Sequence, residues 1–594
     1  MPSLRTQTEP SKLQVAASAL LCAGLLIAGL AAAAASFLPY HVVLTEATAA
    51  TETGRLSLFT PEFYGAMQLR LRVIGAANLA AGLLVFLFRE RIRQFIARIC
   101  SDAVILFRDV KLAVRSVPAI DAVTLICLLI VAGRLRVPFL SQPMHEDEAY
   151  TFLEYSSRPF YVALSLYNAP NNHLLHTMLV RIAYLVFGDH PWALRLPVLL
   201  AGLCLVPASY VAARSLYRSS GALLAAALVA SSSMLIEYST NARGYIVVAL
   251  LFVSLIPLVA YLSRNQNWAA WVSFALLGAL GFYTIPTMLY PFGGLCVWLM
   301  LSAAFEAPCT AARNLVGELV IACGLGAVLT LELYTPVLAV SGPAAVFANK
   351  WVAAKPFRTF LVGLPPSLAS TWNQWNRDLP HWLNWLLLVG FVLSLLWSRS
   401  QIWSRSQSRL RIPLPLALLL WIVPLVFVQR VVPFERVWLF ALPLYLVAAS
   451  AGLAAVFSPW VERSRLQQAI AIVALAIAVL TGLRVRRNQC IYATNDGRGL
   501  EALAYYLKDH LGPGDAVVAG FSSDAPLRYY FREAGVRPSY FNAAKPRRML
   551  VVVNGVASDT VAKVLEMEKL PDLENRPARL LVQCDSASLY EVIP

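Results

Sequence analysis

His145, Glu146, Asp147 and Glu148 form an ionisable run that continues into Ala149 and Tyr150. It follows directly on the apolar stretch Ala119 to Val137, which is long enough to cross a bilayer. A carboxylate at the exit of a span is placed to take a proton from a hydroxyl at the membrane surface. Partial burial would raise the pKa of Asp147 towards neutrality, and its two acidic neighbours would push the same way, making proton acceptance more effective. Successive helical residues point about 100° apart, so Asp147 and Glu148 are expected to do different jobs. Glu148 could instead orient a neighbouring arginine or cap the helix that begins here. The plain alternative for the whole cluster is a solvated acidic loop that only satisfies topology.

His173 and His176 lie three apart on what reads as the polar face of an amphipathic helix, close enough to share a ligand or a substrate hydroxyl. A metal would need a third ligand, which His145 or Asp147 could supply. Histidines that hydrogen-bond loop backbone account for the pattern more simply, so no metal and no other cofactor is assigned. The nine cysteines contain no C-x-x-C pair, which argues against a metal or redox centre.

The elements that must position these residues are membrane helices. The chain has 594 residues, 58% of them hydrophobic and 14% charged, with a mean hydropathy of +0.63. Apolar runs near 13–38, 71–88, 120–138, 192–213, 220–236, 243–262, 267–283, 286–305, 314–336, 382–398, 413–429, 437–457 and 467–483 give about thirteen transmembrane helices. Residues 172–187 read as interfacial rather than spanning. The formal charge of +16 sits mostly in short loops, which reads as membrane orientation and not as a nucleic-acid stripe. The segment 89–117 carries seven basic and three acidic residues and reads as cytosolic; the loop 139–191, with five acids against two bases, reads as external. From about Arg484 the composition changes to 13 acidic and 15 basic residues with short apolar runs, the signature of a soluble α/β domain. The expected division is a hairpin and basic segment over 1–117, a transmembrane core over 118–483 and an exported domain over 484–594.

Three local patterns resemble the lipid-linked-sugar glycosyltransferases of the GT-C fold, which include protein O-mannosyltransferases and bacterial aminoarabinose transferases. They are Asp147-Glu148-Ala149-Tyr150-Thr151, then Asn171-Asn172-His173-Leu174-Leu175-His176 ahead of Phe187-Gly188, and Glu237 to Tyr245 in the next outer loop. The stretch Val432 to Trp438 resembles the family's outer loop associated with carrier phosphate. The resemblance implies a GT-C-like polytopic α-helical fold and transfer from a polyprenyl-phosphate sugar donor, and a single displacement would make that transfer inverting. The acceptor would be an envelope glycan, lipid or protein, and the site would lie on the extracytoplasmic face of a bacterial inner or plasma membrane. It places Asp147 as general base with Glu148 beside it. Tyr150, Asn172, His173, His176, Glu237, Arg243, Lys350 and Arg436 form the substrate-binding set, with Arg243 and Arg436 favoured for phosphate. Arg134 and Arg136 at the end of the third span are further cations on that side. The partners implied are the lipid-linked donor, the acceptor and membrane lipid, with no nucleic acid. The readings from other classes are a transporter or flippase for polyprenyl-linked glycans and a non-catalytic subunit of an envelope assembly. No clear internal repeat or paired broken helices favour transport, and the intact acids argue against the subunit.

Overall fold

In hydrocarbon every backbone N–H and C=O must be satisfied within the protein, so long apolar runs become helices. The computed structural model describes residues 12–49, 59–217, 221–306, 309–348, 353–396, 412–457, 463–492, 498–521, 523–542, 546–555, 559–570, 573 and 576–593. Among these, nine helices are long and apolar enough to cross a membrane, from Gln14–Ala35 through Ala119–Phe139 and Pro191–Tyr217 to Arg465–Asn488. Shorter apolar helices are Leu174–Phe187, Ala222–Ser231, Trp268–Thr284, His381–Leu396 and Leu414–Gln429. The protein is a multi-pass integral membrane protein.

The run expected at 220–236 is divided. Ser232 takes an extended backbone, so the helix Ala222–Ser231 stops and a second short helix, Ser233–Tyr238, begins. The carbonyls freed at such a break need donors. Arg136 supplies them, donating to Ala230 O at 2.8 Å and Val229 O at 3.5 Å while itself 0% exposed. This corrects its reading as a cation available to phosphate, because its guanidinium is committed to the backbone of a neighbouring helix.

The C-terminal part folds as a four-stranded sheet in the order β1-β2-β4-β3. β1 (Asp515–Ala519) runs parallel to β2 (Arg548–Asn554), while β4 (Ala587–Val592) is antiparallel to both β2 and β3 (Ala578–Cys584). Helices Arg498–His510, Asp524–Ala534 and Val561–Met567 accompany it. Helix Asp524–Ala534, termed the docking helix, lies on the loop that carries the acids. Tyr530 Oη accepts from Met144 N at 3.0 Å, and Arg532 donates to Tyr184 Oη at 3.0 Å. One apolar core joins Ala149 and Phe152 to Leu527, Tyr529 and Tyr530. The sheet domain is therefore packed against the acidic cluster.

Candidate functional site

The short helix Glu146–Thr151 begins a few residues after the span Ala119–Phe139, and its three acids leave it in three directions. Glu148 points inward and is 1% exposed. Arg195, also fully buried, donates to it twice, from Nε to Oε1 at 2.9 Å and from Nη2 to Oε2 at 2.6 Å. Ala242 N also donates to Oε1, and His145 N donates to Oε2 at 3.2 Å. The remaining Arg195 donors reach Leu140 O at 2.9 Å, Gln142 O at 2.6 Å and Pro143 O at 3.0 Å. Burial raises the Glu148 carboxyl, but the Arg195 guanidinium outweighs it and the net shift is downward. The pair is a clamp that sets the path of the loop bearing the acids. The expectation that Glu148 takes part in catalysis is corrected on this geometry, since every direction from which a substrate could approach is occupied.

Glu146 turns the other way, towards the sheet domain, and accepts from Ala525 N at 3.3 Å in the first turn of the docking helix. Burial, reinforced by the nearby Asp524 carboxylate, pushes its pKa up to about 8. An unfolded glutamate loses its proton near pH 4.5, whereas here it is held until about 8, so stability contributed by this site falls as pH rises between those values. Thermal unfolding followed from about pH 5 to about pH 9 is expected to show that decline, and Glu146→Gln to flatten it. An unchanged slope in the variant would assign the decline to other groups.

Asp147 keeps an open face, its side chain 29% exposed. Its Oδ2 makes an ion pair with Arg243, and Arg436 Nη1 lies 3.7 Å from the same oxygen. Asn171 Nδ2 donates to Asp147 Oδ1 at 2.8 Å, and Asn171 Oδ1 accepts from Arg243 Nη2 at 3.1 Å, so the amide ties acid to base. The groups facing Asp147 are thus two guanidiniums and an amide. This corrects the expectation that the adjacent acids press on it, because each of them points away. Arg243 is 3% exposed and sits over the Tyr245 ring at 5.3 Å; burial pushes its pKa down to about 10, which leaves it charged at neutral pH. Arg436 stands on the turn Glu435–Trp438, its guanidinium 4.7 Å from the Phe434 ring. That turn is held by helix Phe357–Trp375, where Ser370 donates to Glu435 Oε1 and Ser367 to Pro433 O, each at 2.7 Å. Two cations facing one carboxylate leave a positive excess beside an exposed edge.

Residues 149–325 match the family model described as dolichyl-phosphate-mannose-protein mannosyltransferase. ArnT from Cupriavidus metallidurans in its apo state is similar with a TM-score of 0.50 and 13% identity, over 78% of this chain and 97% of that one. The chain has the GT-C fold. ArnT bound to undecaprenyl phosphate gives a TM-score of 0.49 at 14% identity, over 79% and 97% of the two chains. An oligosaccharyltransferase from Archaeoglobus fulgidus gives 0.42 at 12% identity, over 79% and 74%. No curated protein matches the chain.

Within this GT-C fold several residues expected to face substrate are buried or paired within the protein instead. Asn172 is 1% exposed and donates to Ala163 O at 3.0 Å and Leu166 O at 2.7 Å, with Thr177 donating to its Oδ1 at 2.8 Å. It fastens the loop before helix Leu174–Phe187 and does not face the open edge, which corrects its substrate-binding reading. His173 and His176 are 2% and 0% exposed, so the reading of a polar histidine face is also corrected. His173 Nδ1 accepts from Gly244 N at 2.9 Å; a Cβ at Gly244 would stand 2.7 Å from Thr284 Cγ2, so the close approach needs glycine. Burial drives both imidazoles down, His176 to about 4, and leaves them neutral. Among the described residues no three His, Cys, Asp or Glu side chains converge as a metal site. The Tyr150 ring packs 6.1 Å from that of Tyr155. Glu237 pairs with Arg377. Lys350 lies outside the described residues.

Asn171 and Arg195 were missed by sequence reasoning. Asn171 stood inside a quoted motif but was passed over for its neighbour, and the direction of a loop side chain is not written in spacing. Arg195 carried a readable signal, an ionisable residue at the start of an otherwise apolar span, where a charge implies a partner.

Proposed function

We propose that the protein is an integral-membrane glycosyltransferase that moves a sugar from a polyprenyl-phosphate donor to a hydroxyl of an envelope glycan, lipid or protein. The observation that carries this reading is one partly exposed carboxylate, Asp147, flanked by two arginines that outnumber it in charge. A base and an anion-holding pair side by side suit displacement of a phosphate by an alcohol. The description of the family model matching residues 149–325 supports a lipid-phosphate sugar as donor.

In the proposed reaction the carrier phosphate lies against Arg243 and Arg436, which stabilise the charge that grows as the bond breaks. The acceptor oxygen attacks the anomeric carbon as the carbon–oxygen bond to phosphate breaks. The bonding pair leaves with the carrier phosphate, and the hydroxyl proton passes to an Asp147 carboxylate oxygen. A single displacement of this kind inverts the anomeric centre. Glu148 and Arg195 act only by setting the loop that holds Asp147.

Asn171 is a positioning residue in this scheme. Asn171→Ala is expected to lower kcat about tenfold to a hundredfold through a misplaced base, with donor KM little changed. A rise in KM at constant kcat would assign Asn171 to binding.

The reading is tested with purified protein, a panel of radiolabelled polyprenyl-phosphate sugars and a membrane-glycan extract. The expected result is label in the acceptor with an equal release of polyprenyl phosphate. Donor that crosses sealed vesicles unchanged, with no label transferred, would favour the flippase reading.

A further inference from the structure

Helix Arg89–Arg115 lies outside everything the proposed reaction uses. Over its 27 residues no side chain is buried. Ile92, Ile96, Ile99, Leu106, Val110 and Val114 recur at helical spacing on one side, where Ile99 and Leu106 rest partly against the core of the spans, while Phe107, Val110 and Val114 are 71%, 52% and 66% exposed. Arg91, Arg108, Lys111 and Arg115 are exposed on the flanking and opposite sides.

Its contacts fix its direction. The Phe95 ring meets that of Trp268 at 5.1 Å, Asp102 Oδ2 accepts from Trp268 N at 2.7 Å, and Asp109 Oδ2 accepts from Tyr261 Oη at 3.1 Å. Residues 95 to 109 cover about 21 Å of helix, yet all three contacts go to the turn that joins Tyr245–Leu262 to Trp268–Thr284. Near its start, Arg93 Nε donates to Ser18 Oγ at 3.2 Å, close to the beginning of the span Gln14–Ala35. A helix standing along the membrane normal would climb away from that turn. This one passes across the ends of the spans, at the starting end of Ala119–Phe139, whereas Asp147 follows the other end.

We propose that helix Arg89–Arg115 lies in the plane of the membrane face opposite Asp147, with Phe107, Val110 and Val114 among acyl chains and its basic edge binding anionic phospholipid headgroups. The two sides need the same occupant. Nucleic acid or an acidic protein would answer the bases but leave Phe107, Val110 and Val114 in water, while a zwitterionic surface would cover the apolar side and give the arginines no net attraction. The inference does not depend on the catalytic reading.

The experiment uses the full chain in vesicles of equal parts phosphatidylglycerol and phosphatidylcholine, followed by mild extraction and native mass spectrometry of the lipid that stays bound. Wild type is expected to retain phosphatidylglycerol in excess. Replacing Arg91, Arg108, Lys111 and Arg115 together by Gln is expected to lower the retained ratio at least about fivefold. Should that variant fail to fold, wild type in about 1 M salt gives the same test, with the excess expected to fall. No preference in wild type, or an undiminished ratio in the folded variant or in high salt, would overturn the proposal.

Discussion

Asp147→Asn is expected to lower sugar transfer about 10²–10⁴-fold, the range that loss of a positioned proton acceptor commands. Donor binding should persist or tighten. With the carboxylate gone, Arg243 and Arg436 have only the carrier phosphate to face, whereas in the wild type they divide between phosphate and Asp147. The loss therefore falls on kcat, with donor KM unchanged or lower. Single-turnover transfer and equilibrium donor binding, measured on the same preparation, separate them. A variant that transfers within about tenfold of wild type would remove Asp147 as the base. A variant that no longer binds donor would mean the acid holds substrate.

Arg195→Met is expected to cause the largest loss of stability, about 3–5 kcal/mol, because it strands Glu148 as an unpaired charge in a site with no exposure. The double variant Glu148→Leu with Arg195→Met removes both charges and should regain much of that loss, as apolar replacements of buried ion pairs often do. Transfer should return in part with stability if the pair only holds the loop that bears Asp147. Thermal unfolding and specific activity of the two variants decide the matter. Recovered stability with activity still abolished at the level of Asp147→Asn would mean that Glu148 takes part in the chemistry after all.

Arg377 shows a further reach of tertiary packing. It lies between the apolar runs 314–336 and 382–398, in a stretch that also carries Lys355 and Arg358, and the structure pairs it with Glu237. Helix Phe357–Trp375 in the same loop supports the turn bearing Arg436. That loop is a strut for the site, which no count of charges would show.

The sheet domain illustrates what short-range pattern can carry. Residues 499–511, 525–533 and 560–568 read as helices and 515–520 and 549–554 as strands, and each has its counterpart in the structure. The hairpin of β3 and β4 was missed. β3 is an edge strand with mostly exposed residues, so no buried alternation marks it. Its turn places Asp585 at φ 47, a conformation aspartate tolerates better than most residues but does not announce.

Hydropathy alone determined that this is a multi-pass membrane protein, because burying apolar runs of about 20 residues leaves few other solutions. The sequence also determined that an acid follows the third span, with arginines available in later loops. Tertiary structure decided which acid is open and which arginines meet it. Glu146, Asp147 and Glu148 are neighbours of similar chemistry, and nothing local distinguishes them. They differ because the docking helix lies some 380 residues on, at Ala525, Arg195 lies 47 residues on, and Arg243 and Arg436 come from two other loops. Pairings across such separations depend on the packed arrangement of the helices, which single-sequence periodicity does not encode.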